Sequence, residues 1–406
     1  MTPKSSNFSD SFKEFITAND ANVIIEKFNV VRELLEAENQ KKYPLFYPIY
    51  KCLDSKKGVY SGAGLWQKYK KLAALKEYKN ANQTNMSVLI IGSGPSGLRL
   101  AIECALLGLR CHVVEKRDDF TRNNVLHLWD YTIEDLKRLG AKDFYPQFCS
   151  SSINHISIRR LQGILLKAAL LLGVQVNFGT SFTEIIKPEV TNKQLTKIGW
   201  RIKTAPINKK LSKKYFDVIV GADGRNRRLP GFELENNSIK RRLAVAITAN
   251  FVNKRTRQDY EIKEHAGVNA PNNPKFFKNI RSKTNIELEN FVYYKSDTHY
   301  LIMTPKLNSL IASGVLKQKH QDTAELLAKE NINQNELENF VRNVACASTD
   351  KSFEQMEFAK NERGDPDIAI FDFSNFNRTK NSTRIYDQWG KRLLTAIVGD
   401  SLIAVS

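Results

Sequence analysis

The stretch Ser87-Val-Leu-Ile-Ile-Gly-Ser-Gly-Pro-Ser-Gly97 decides the fold of this chain. Its first half is an almost uninterrupted apolar run, which is typical of a central strand in a parallel sheet. Its second half has the spacing G-x-G-x-x-G, and apolar residues at helical spacing follow it. In this pattern Gly92 permits a tight turn, Gly94 lets backbone amides approach a pyrophosphate, and Gly97 lets the helix pack closely on the strand. The stretch therefore predicts a strand, a glycine turn and a helix whose N-terminus binds phosphate.

A second predicted strand, Cys111 to Glu115, follows this helix. It ends in a carboxylate 18 residues after Gly97, where such a group accepts hydrogen bonds from ribose hydroxyls. Because strand, helix and acidic strand end are all in place, the pattern favours a dinucleotide-binding site over a glycine-rich structural turn. NAD, NADP and FAD share this half of the site, so the rest of the chain must decide between them.

The composition is that of a globular protein with more than one domain. The chain has 406 residues, of which 42% are hydrophobic and 10% aromatic, and domains typically hold about 100–200 residues. No secretory signal pattern is visible, and the most apolar stretch, Ile164 to Val176, is shorter than the roughly 20 residues of a membrane span. The five cysteines are scattered and include no C-x-x-C pair, which argues against a disulfide framework and a metal site. We expect a cytoplasmic protein without a membrane span, with the nucleus as a second location.

Basic residues outnumber acidic residues in this sequence. The 62 Lys and Arg against 43 Asp and Glu give a formal net charge of +19. Such a surface attracts polyanions, acidic protein filaments or phosphorylated cofactors, although lysines that only keep a protein in solution would give the same count. The sequence has no helix-turn-helix, zinc-finger or RNP-like pattern, so we expect no nucleic-acid partner.

Hydrophobic periodicity divides the chain into regions. Apolar residues at three- and four-residue spacing predict one helix from Phe12 to Asn39 and another from Gly64 to Tyr78. Residues 243–375 mix strand and helix patterns, and Arg392 to Val398 has the pattern of a buried strand. The region before the glycine turn is therefore predicted to be helical, and the chain returns to the first sheet near its last residues.

Two later segments resemble parts of an FAD site. Asp217-Val-Ile-Val-Gly-Ala-Asp-Gly224 is another apolar strand that ends in a glycine-aspartate turn, and Leu393 to Val398 leads into Gly399-Asp400. A glycine fingerprint, a G-A-D-G turn and a late G-D, in this order, resemble the flavin-dependent hydroxylases of the p-hydroxybenzoate hydroxylase type. The resemblance implies an α/β fold, in which a mixed α+β monooxygenase domain is inserted into a Rossmann-like FAD-binding domain. The implied division is a helical region at 1–86 packed on the FAD domain, the first part of the FAD-binding domain at 87–230, a substrate or monooxygenase domain at 231–375, and the last strand of the FAD-binding domain at 376–406.

Further motifs narrow the resemblance to the monooxygenase domain of the MICAL family. The similar segments are Glu115-Lys-Arg117, Arg122-Asn-Asn-Val-Leu-His-Leu-Trp129, His155-Ile-Ser-Ile-Arg-Arg-Leu-Gln162, Ile198-Gly-Trp200, Ala244-Val-Ala-Ile-Thr-Ala-Asn-Phe251, Val292-Tyr-Tyr-Lys295, Thr298-His-Tyr300 and Pro366-Asp-Ile-Ala-Ile-Phe-Asp-Phe373. They cover the chain from about Gly64 onward. The family uses FAD and NADPH to oxidise methionine residues of actin, which disassembles actin filaments. The resemblance therefore implies these cofactors, actin filaments as the partner and a cytoskeletal location.

The resemblance also implies site residues. Those implied to bind the cofactor are Gly92, Gly94, Ser96, Gly97, Glu115, Lys116, Arg117, Arg122, Asn123, Asn124, Phe182, Asp223, Tyr300 and Asp400. Asn124 and Trp129 are the candidates for lining the cavity in which the substrate is oxidised. Simpler interpretations remain open: residues 115–117 as an exposed turn, Trp129 as core packing and Tyr300 as a half-buried strand residue. His127 and His155 lie among apolar residues, so we expect structural rather than acid-base roles for them.

The resemblance stops after Gly399-Asp400, where the family has further segments of the flavin site. We therefore expect a chain truncated after this motif, and the sequence leaves its catalytic competence open. One alternative is a catalytically incomplete form that binds actin or another partner as a regulator. Another is a flavin hydroxylase of a small aromatic substrate. The sequence also leaves open the oligomeric state, the target methionines and the choice between NADPH and NADH.

Overall fold

The chain folds around the strand that precedes the glycine turn. The computed structural model describes residues 8–39, 63–78, 86–141, 155–189, 199–235, 244–349, 352–373 and 376–405. The helices of these ranges are α1 (Phe8–Thr17), α2 (Ala21–Asn39), α3 (Ala63–Ala73), α4 (Pro95–Leu106), α5 (Asp130–Arg138), α6 (Ile158–Leu171), α7 (Arg257–Glu261), α8 (Pro274–Thr284), α9 (Leu307–Ala312), α10 (Thr323–Leu326) and α11 (Gln334–Ser348). The strands are β1 (Ser87–Ile91), β2 (Arg110–Val114), β3 (Val125–His127), β4 (His155–Ser157), β5 (Gln175–Asn177), β6 (Ser181–Ile186), β7 (Arg201–Ala205), β8 (Val218–Gly221), β9 (Val245–Val252), β10 (His265–Asn269), β11 (Leu288–Lys295), β12 (Thr298–Pro305), β13 (Ile368–Asp372), β14 (Phe376–Arg378), β15 (Thr383–Gln388), β16 (Lys391–Ile397) and β17 (Ile403–Val405).

The larger sheet has the strand order β15-β16-β8-β1-β2-β5. Its neighbouring strands are parallel except for β15 and β16, which form an antiparallel hairpin at the edge. Strand β1 is buried along its whole length, as expected for a central parallel strand. Ile91 lies beside both Val114 and Gly221, and Gly221 lies beside Ile397. The carboxyl ends of β1, β2, β8 and β16 therefore meet at one edge of the sheet.

Helices cover one face of this sheet. The apolar side chains of α4 and α6 share one core with β1 and β2, and the N-terminal helices α1 and α2 join the same core through Phe12, Phe15 and Ile24. The other face is covered by the hairpin of β6 and β7, where Phe182, Trp200 and neighbouring side chains form a second core cluster. The sheet is thus buried on both faces, which explains the apolar runs in its strands.

The prediction of a single helix from Phe12 to Asn39 is wrong. The chain forms two helices, α1 and α2, separated by Ala18, Asn19 and Asp20. Asn and Asp favour the ends of helices because their side chains compete for backbone hydrogen bonds. The first amide of α2, at Ala21, donates to Asp119 Oδ1 at 2.9 Å, so a residue 98 positions away caps the second helix.

The last part of the larger sheet is a hairpin of two strands, β15 and β16, whereas we predicted a single strand. Strand β15 precedes β16, and the two are joined by Trp389 and Gly390, which have φ values of +55° and +70°. Two successive residues with positive φ are the hallmark of a tight hairpin turn. Beyond β16, strand β17 pairs with β14 in a separate two-stranded ribbon.

A second, antiparallel sheet has the order β10-β11-β12-β9-β13. One face of it packs on α8 and α11, with Phe291, Tyr293 and Phe340 in the shared core. A parallel sheet joined to a mixed α+β unit of this kind is the predicted fold class. The predicted boundaries between residues 230 and 231, and between residues 375 and 376, stay predictions; residues 374–375 lie outside the described residues. Within the described ranges, no helix is long and apolar enough to cross a membrane.

Candidate functional site

A cavity of about 320 Å³ lies at the carboxyl ends of β1, β2, β8 and β16. Small-molecule sites hold roughly 300–1,000 Å³, and ligands of open α/β sheets bind at this edge. The predicted cofactor-binding residues that line the cavity are Gly92, Gly94, Ser96, Glu115, Lys116, Arg117, Arg122, Phe182, Asp223 and Asp400. The fold therefore brings the glycine turn, the acidic strand end and the two late glycine-aspartate turns to one place.

The glycine turn forms one wall of the cavity. Gly92 has φ +107°, and a Cβ atom there would lie 2.5 Å from the carbonyl oxygen of Ala222. A Cβ atom at Gly97 would lie 2.2 Å from the carbonyl oxygen of Gly92, so a side chain would push α4 away from β1. A Cβ atom at Gly94 would meet only the Ala222 oxygen, at 4.0 Å. Space therefore remains over Gly94, where a ligand can contact the backbone.

The N-terminus of α4 opens into the same space. Gly94 is its N-cap, no side chain caps it, and Pro95 occupies the first turn. The unpaired amides of a first turn and the positive end of the helix dipole attract anions. This arrangement fits the pyrophosphate of a dinucleotide, as the sequence predicts.

Glu115 organises the turn next to this helix. Only 9% of its surface is exposed, and its Oε2 accepts hydrogen bonds from the Ser93 amide at 2.9 Å and the Ser93 hydroxyl at 3.0 Å. Its Oε1 accepts a hydrogen bond from the Arg117 amide at 3.0 Å. A carboxylate has about four acceptor positions, so one remains for a ribose hydroxyl. Glu115 thus shapes the cavity as well as lining it.

The two late turns are tied to each other. The Ser401 hydroxyl is 3.2 Å from Asp223 Oδ1 and 3.0 Å from the carbonyl oxygen of Gly224. The other oxygen of Asp223 accepts a hydrogen bond from the Arg228 amide at 2.9 Å. These contacts fix the turn that carries Asp400, whose side chain is exposed at the cavity.

Close packing explains the small residue at position 96. A Cβ atom at Gly399 would lie 2.6 Å from Ser96 Oγ and 2.9 Å from Ser96 Cβ. The start of α4 and the turn after β16 therefore touch directly, so that neither position leaves room for more atoms.

Basic side chains surround the cavity. Lys116, Arg117, Arg122 and Arg228 all line it, and the Arg228 guanidinium also donates to the carbonyl oxygen of Phe182 at 3.4 Å. Apolar side chains, including Ile91, Val114, Phe120, Leu126 and Phe182, form part of the remaining wall. The cavity therefore combines positive charge for phosphate groups with a hydrophobic surface for a flat ring.

Asn123, Asn124 and Tyr300 lie at the contact with the second sheet rather than in this cavity. Asn123 Nδ2 donates to Asp367 Oδ2 at 2.7 Å. Asn124 is hydrogen-bonded to the hydroxyl of Tyr300, which is only 3% exposed. Burial raises the pKa of Tyr300 to about 12, although the Asn124 hydrogen bond acts against that shift. Tyr300 therefore keeps its proton at neutral pH.

Trp129 is an exposed residue at the start of α5. It is 66% exposed, is the N-cap of α5, and its ring meets that of His127 edge-on at 6.3 Å. It does not line the cavity of about 320 Å³. Its exposure also excludes the simpler interpretation as core packing, so its role as a substrate contact stays a prediction.

His155 lies at the seam between the two sheets. Its side chain is buried, stacks on Tyr294 with ring centres 4.5 Å apart, and lies 3.5 Å from Glu264 through Nε2. Burial lowers its pKa, and Glu264 partly opposes that shift. This packing agrees with a structural histidine, whereas His127 is exposed.

Several residues of the site had no signal in the sequence. Gln162 Nε2 donates to the carbonyl oxygen of Ser93 at 3.0 Å and so supports the glycine turn from α6. Glu362, from the segment that leads into β13 of the second sheet, forms an ion pair with Arg117. Both contacts join residues that are far apart in the chain, and no local spacing indicates them. Among the residues that the structure describes, no group of His, Cys, Asp and Glu could hold a metal ion.

Comparison with known proteins gives matches for both parts of the chain. A sequence-family model described as the Rossmann domain of Mical matches residues 243–372, and one described as an FAD binding domain matches residues 85–145. Over 98% of its length the chain is 42% identical to the F-actin monooxygenase MICAL2 of Mus musculus, and over 97% it is 42% identical to the protein-methionine sulfoxide oxidase mical3a of Danio rerio. It spans 20% of the first protein and 19% of the second. Among solved structures, the anhydrotetracycline hydroxylase OxyS from Streptomyces rimosus matches with a TM-score of 0.44 at 16% identity, over 79% of this chain and 57% of that one.

Proposed function

Because this chain belongs to the MICAL family of flavoprotein monooxygenases, we propose that it is an FAD- and NADPH-dependent enzyme. Its proposed reaction is the oxidation of actin methionine residues to the sulfoxide, which promotes the disassembly of filaments. The observation that supports this proposal most strongly is the cavity at the sheet edge. Turns after β1, β8 and β16, together with a helix N-terminus and a basic rim, surround one space that suits a dinucleotide.

The residues present fit FAD as the cofactor. In the proposed complex the amides near Gly94 and Ser96 bind the pyrophosphate, and Glu115 accepts a hydrogen bond from a ribose hydroxyl. Asp400 binds the ribityl chain. Lys116, Arg117 and Arg122 balance the negative charge, while Phe182 and its apolar neighbours contact the ring system. Bound FAD would accept hydride from NADPH and activate oxygen for transfer to the substrate. Asn123, Asn124 and Tyr300 are proposed to contact it from the seam with the second sheet.

The apolar wall of the cavity has a second proposed task. Phe120, Leu126 and Phe182 exclude water from one side of the space, and water exclusion prevents side reactions of an activated cofactor.

Tyr300 keeps its hydroxyl proton because burial raises its pKa to about 12. It can therefore donate a hydrogen bond throughout the physiological pH range.

The names of the relatives indicate the proposed substrate. They describe an F-actin monooxygenase and a protein-methionine sulfoxide oxidase. A thioether sulfur is a soft, oxidisable group that is converted to a sulfoxide by uptake of one oxygen atom. The net charge of +19 is suited to an acidic filament. We accordingly propose a location at the actin cytoskeleton.

A second candidate, a regulator that binds actin without turnover, is favoured by the net charge alone. One experiment separates the two functions. The purified chain is saturated with FAD, mixed with filamentous actin and either NADPH or NADH, and actin is digested for mass spectrometry. The enzyme predicts retained flavin, faster oxidation of NADPH when actin is present, and one added oxygen atom on specific methionines. Actin binding without flavin retention or added oxygen would establish the regulator and contradict the enzyme. Turnover with small phenols but not with actin would identify an aromatic hydroxylase instead.

A further inference from the structure

The loop that precedes strand β13 of the second sheet reaches the rim of the cofactor cavity. Residues 360–367 form this loop, which we name the rim loop. The Glu362 carboxylate forms an ion pair with Arg117 and accepts a hydrogen bond from the Thr121 hydroxyl. Both partners line the cavity. Two side chains of the cavity wall are therefore held by a residue that belongs to neither the glycine turn nor the parallel sheet.

The rim loop is held firmly at its base, where the backbones of Ala359, Asp367 and Asn250 are joined by hydrogen bonds of 2.8–3.0 Å. Asp367 Oδ2 accepts hydrogen bonds from Asn123 at 2.7 Å and from Asn250 at 3.0 Å, and Asn250 in turn accepts one from Thr298 at 2.7 Å. Both Asn250 and Thr298 are buried. Glu362 lies near the tip of the loop, away from this base, and its side chain is 45% exposed. The contacts of Glu362 are thus the weaker of the two attachments, because exposed ion pairs contribute little to stability.

The loop itself is held in shape by local hydrogen bonds. Asn361 Oδ1 accepts from the amides of Arg363 at 2.8 Å and Asp365 at 3.1 Å. Lys360 and Pro366 form an isolated bridge that closes the loop. None of these hydrogen bonds involves the Glu362 carboxylate, so this side chain can leave Arg117 while the loop keeps its shape.

The charge of Glu362 bears on any anionic ligand of the cavity. A hydrogen bond from Thr121, followed by the contacts with Arg117 and the nearby charge of Lys116, lowers the pKa of Glu362. Glu362 is therefore ionised at neutral pH and neutralises part of the basic rim. A dinucleotide brings two phosphate groups to the same rim, and two like charges there repel each other.

We propose that Glu362 is a latch, meaning that it competes with an anionic dinucleotide for Arg117 and Thr121, so that the ligand must displace Glu362 from them in order to bind. This inference rests on the proposed FAD site. Glu362 acts through Arg117 and is a positioning residue. Its removal is expected to speed entry of the ligand, whereas loss of a merely structural contact would slow entry or weaken binding.

The test compares Glu362→Gln with the wild-type chain. Stopped-flow flavin fluorescence measures the association rate of FAD at low and high ionic strength. Removing one like charge at a distance of several ångströms in water is expected to raise the rate about threefold at low salt, and the difference should vanish near 1 M salt, where the Debye length is about 3 Å. Glu354→Gln is the matched control, because it makes the same charge change at an exposed residue, whereas the contacts with Arg117 and Thr121 belong to Glu362. An unchanged or slower rate in Glu362→Gln would overturn the latch.

A second measurement does not depend on FAD. Hydrogen exchange of the ligand-free chain is expected to be faster in residues 117–124 and 360–366 of Glu362→Gln, with Glu354→Gln unchanged. If the wild-type chain binds no FAD, the proposed function fails, but this exchange result still supports or contradicts the latch. Equal exchange in all three proteins would show that Glu362 holds nothing in place.

Discussion

Gly94 and Lys167 show how a single residue sets a property of this molecule. Gly94 leaves the space over the N-terminus of α4 open, because a Cβ atom there would meet no described atom nearer than 4.0 Å. Lys167 is 1% exposed, and its Nζ donates a hydrogen bond to the carbonyl oxygen of Ile16 at 2.6 Å. Burial lowers the pKa of Lys167 to about 7. Gly94 affects ligand binding because it has no side chain, and Lys167 affects stability because its amino group is buried.

Gly94→Val tests the phosphate-binding role of the turn. The backbone of Gly94, with φ −64° and ψ 170°, is accessible to any residue, so the variant should fold. Its side chain would occupy the proposed pyrophosphate position, and we expect the FAD affinity to fall at least about tenfold, or ~1.4 kcal/mol. Flavin titration measures the loss. Gly163→Ala in α6, where an added Cβ makes only ordinary contacts beginning at 3.5 Å, is the control. Wild-type affinity in Gly94→Val would contradict the site.

Lys167 predicts a dependence of stability on pH. Its pKa is about 7 in the folded chain and 10.5 in the unfolded reference, so between these values the unfolded state binds more protons. Stability should therefore rise with pH from about 7 to 10.5, by at most ~1.4 kcal/mol per pH unit from this group, and its cost is complete below pH 7.

Lys167→Met removes this contribution. Urea unfolding at several pH values between 7 and 10 should give a shallower rise in the free energy of unfolding than in the wild-type chain. Lys137→Met, at a side chain that is 40% exposed, should leave the rise unchanged. Parallel curves for wild type and Lys167→Met would show that Lys167 does not titrate in this range.

At the scale of elements, a tight turn between β11 and β12 attaches the second sheet to the start of α6. Asp297 in this turn accepts a hydrogen bond from the Ser157 hydroxyl at 2.6 Å. It also forms an ion pair with Arg160 at 2.7 Å, in the first turn of α6. Since Arg160 and Asp297 side chains are 12% and 20% exposed, this contact is shielded better than most ion pairs of the surface. It positions the second sheet against the helix that supports the glycine turn.

Asp297→Ala is expected to destabilise the chain by about 2 kcal/mol, because hydrogen bonds to charged groups contribute roughly 1.5–3 kcal/mol. Chemical denaturation gives the difference in the free energy of unfolding. Asp387→Ala is the control. It removes an ion pair with Arg392, whose side chain is 81% exposed, and should change the free energy of unfolding by less than about 1 kcal/mol. Equal losses of stability in the two variants would mean that the turn does not attach the second sheet to α6.

The sequence predicts the elements whose signals are local. Strand β1, the glycine turn and α4 follow from spacing alone, and the runs before Gly221 and Gly399 mark β8 and β16. The break between α1 and α2 has a local signal in Asn19 and Asp20, but the Asp119 side chain that caps α2 lies 98 positions away and has none. The contacts of Glu362 and Gln162 could not be predicted from the sequence, because their partners are distant in the chain and only the fold brings them together.

At the scale of the whole molecule, the net charge of +19 bears on the proposed binding to actin filaments. Attraction between a basic protein and an acidic filament is screened by salt, since the Debye length falls from about 30 Å at 0.01 M to about 8 Å at 0.15 M. We expect cosedimentation with filamentous actin to weaken steeply over this range. Far-UV circular dichroism at each salt concentration controls for unfolding. Binding that does not change with salt would exclude the charge as its source.

The interleaved strand order of the larger sheet also has a consequence for synthesis on the ribosome. Strand β1 lies beside β2 but also beside β8, which in turn lies beside β16, so the neighbours of one strand leave the ribosome at different times. Asp400 follows Gly94 by 306 positions, which corresponds to roughly 15–60 s of translation at about 5–20 residues per second. During this interval the apolar edge of β1 has no β8 partner and then β8 has no β16 partner. Unpaired strand edges of this kind are prone to aggregation, and the proposed FAD site is complete only after the last parallel strand has been made.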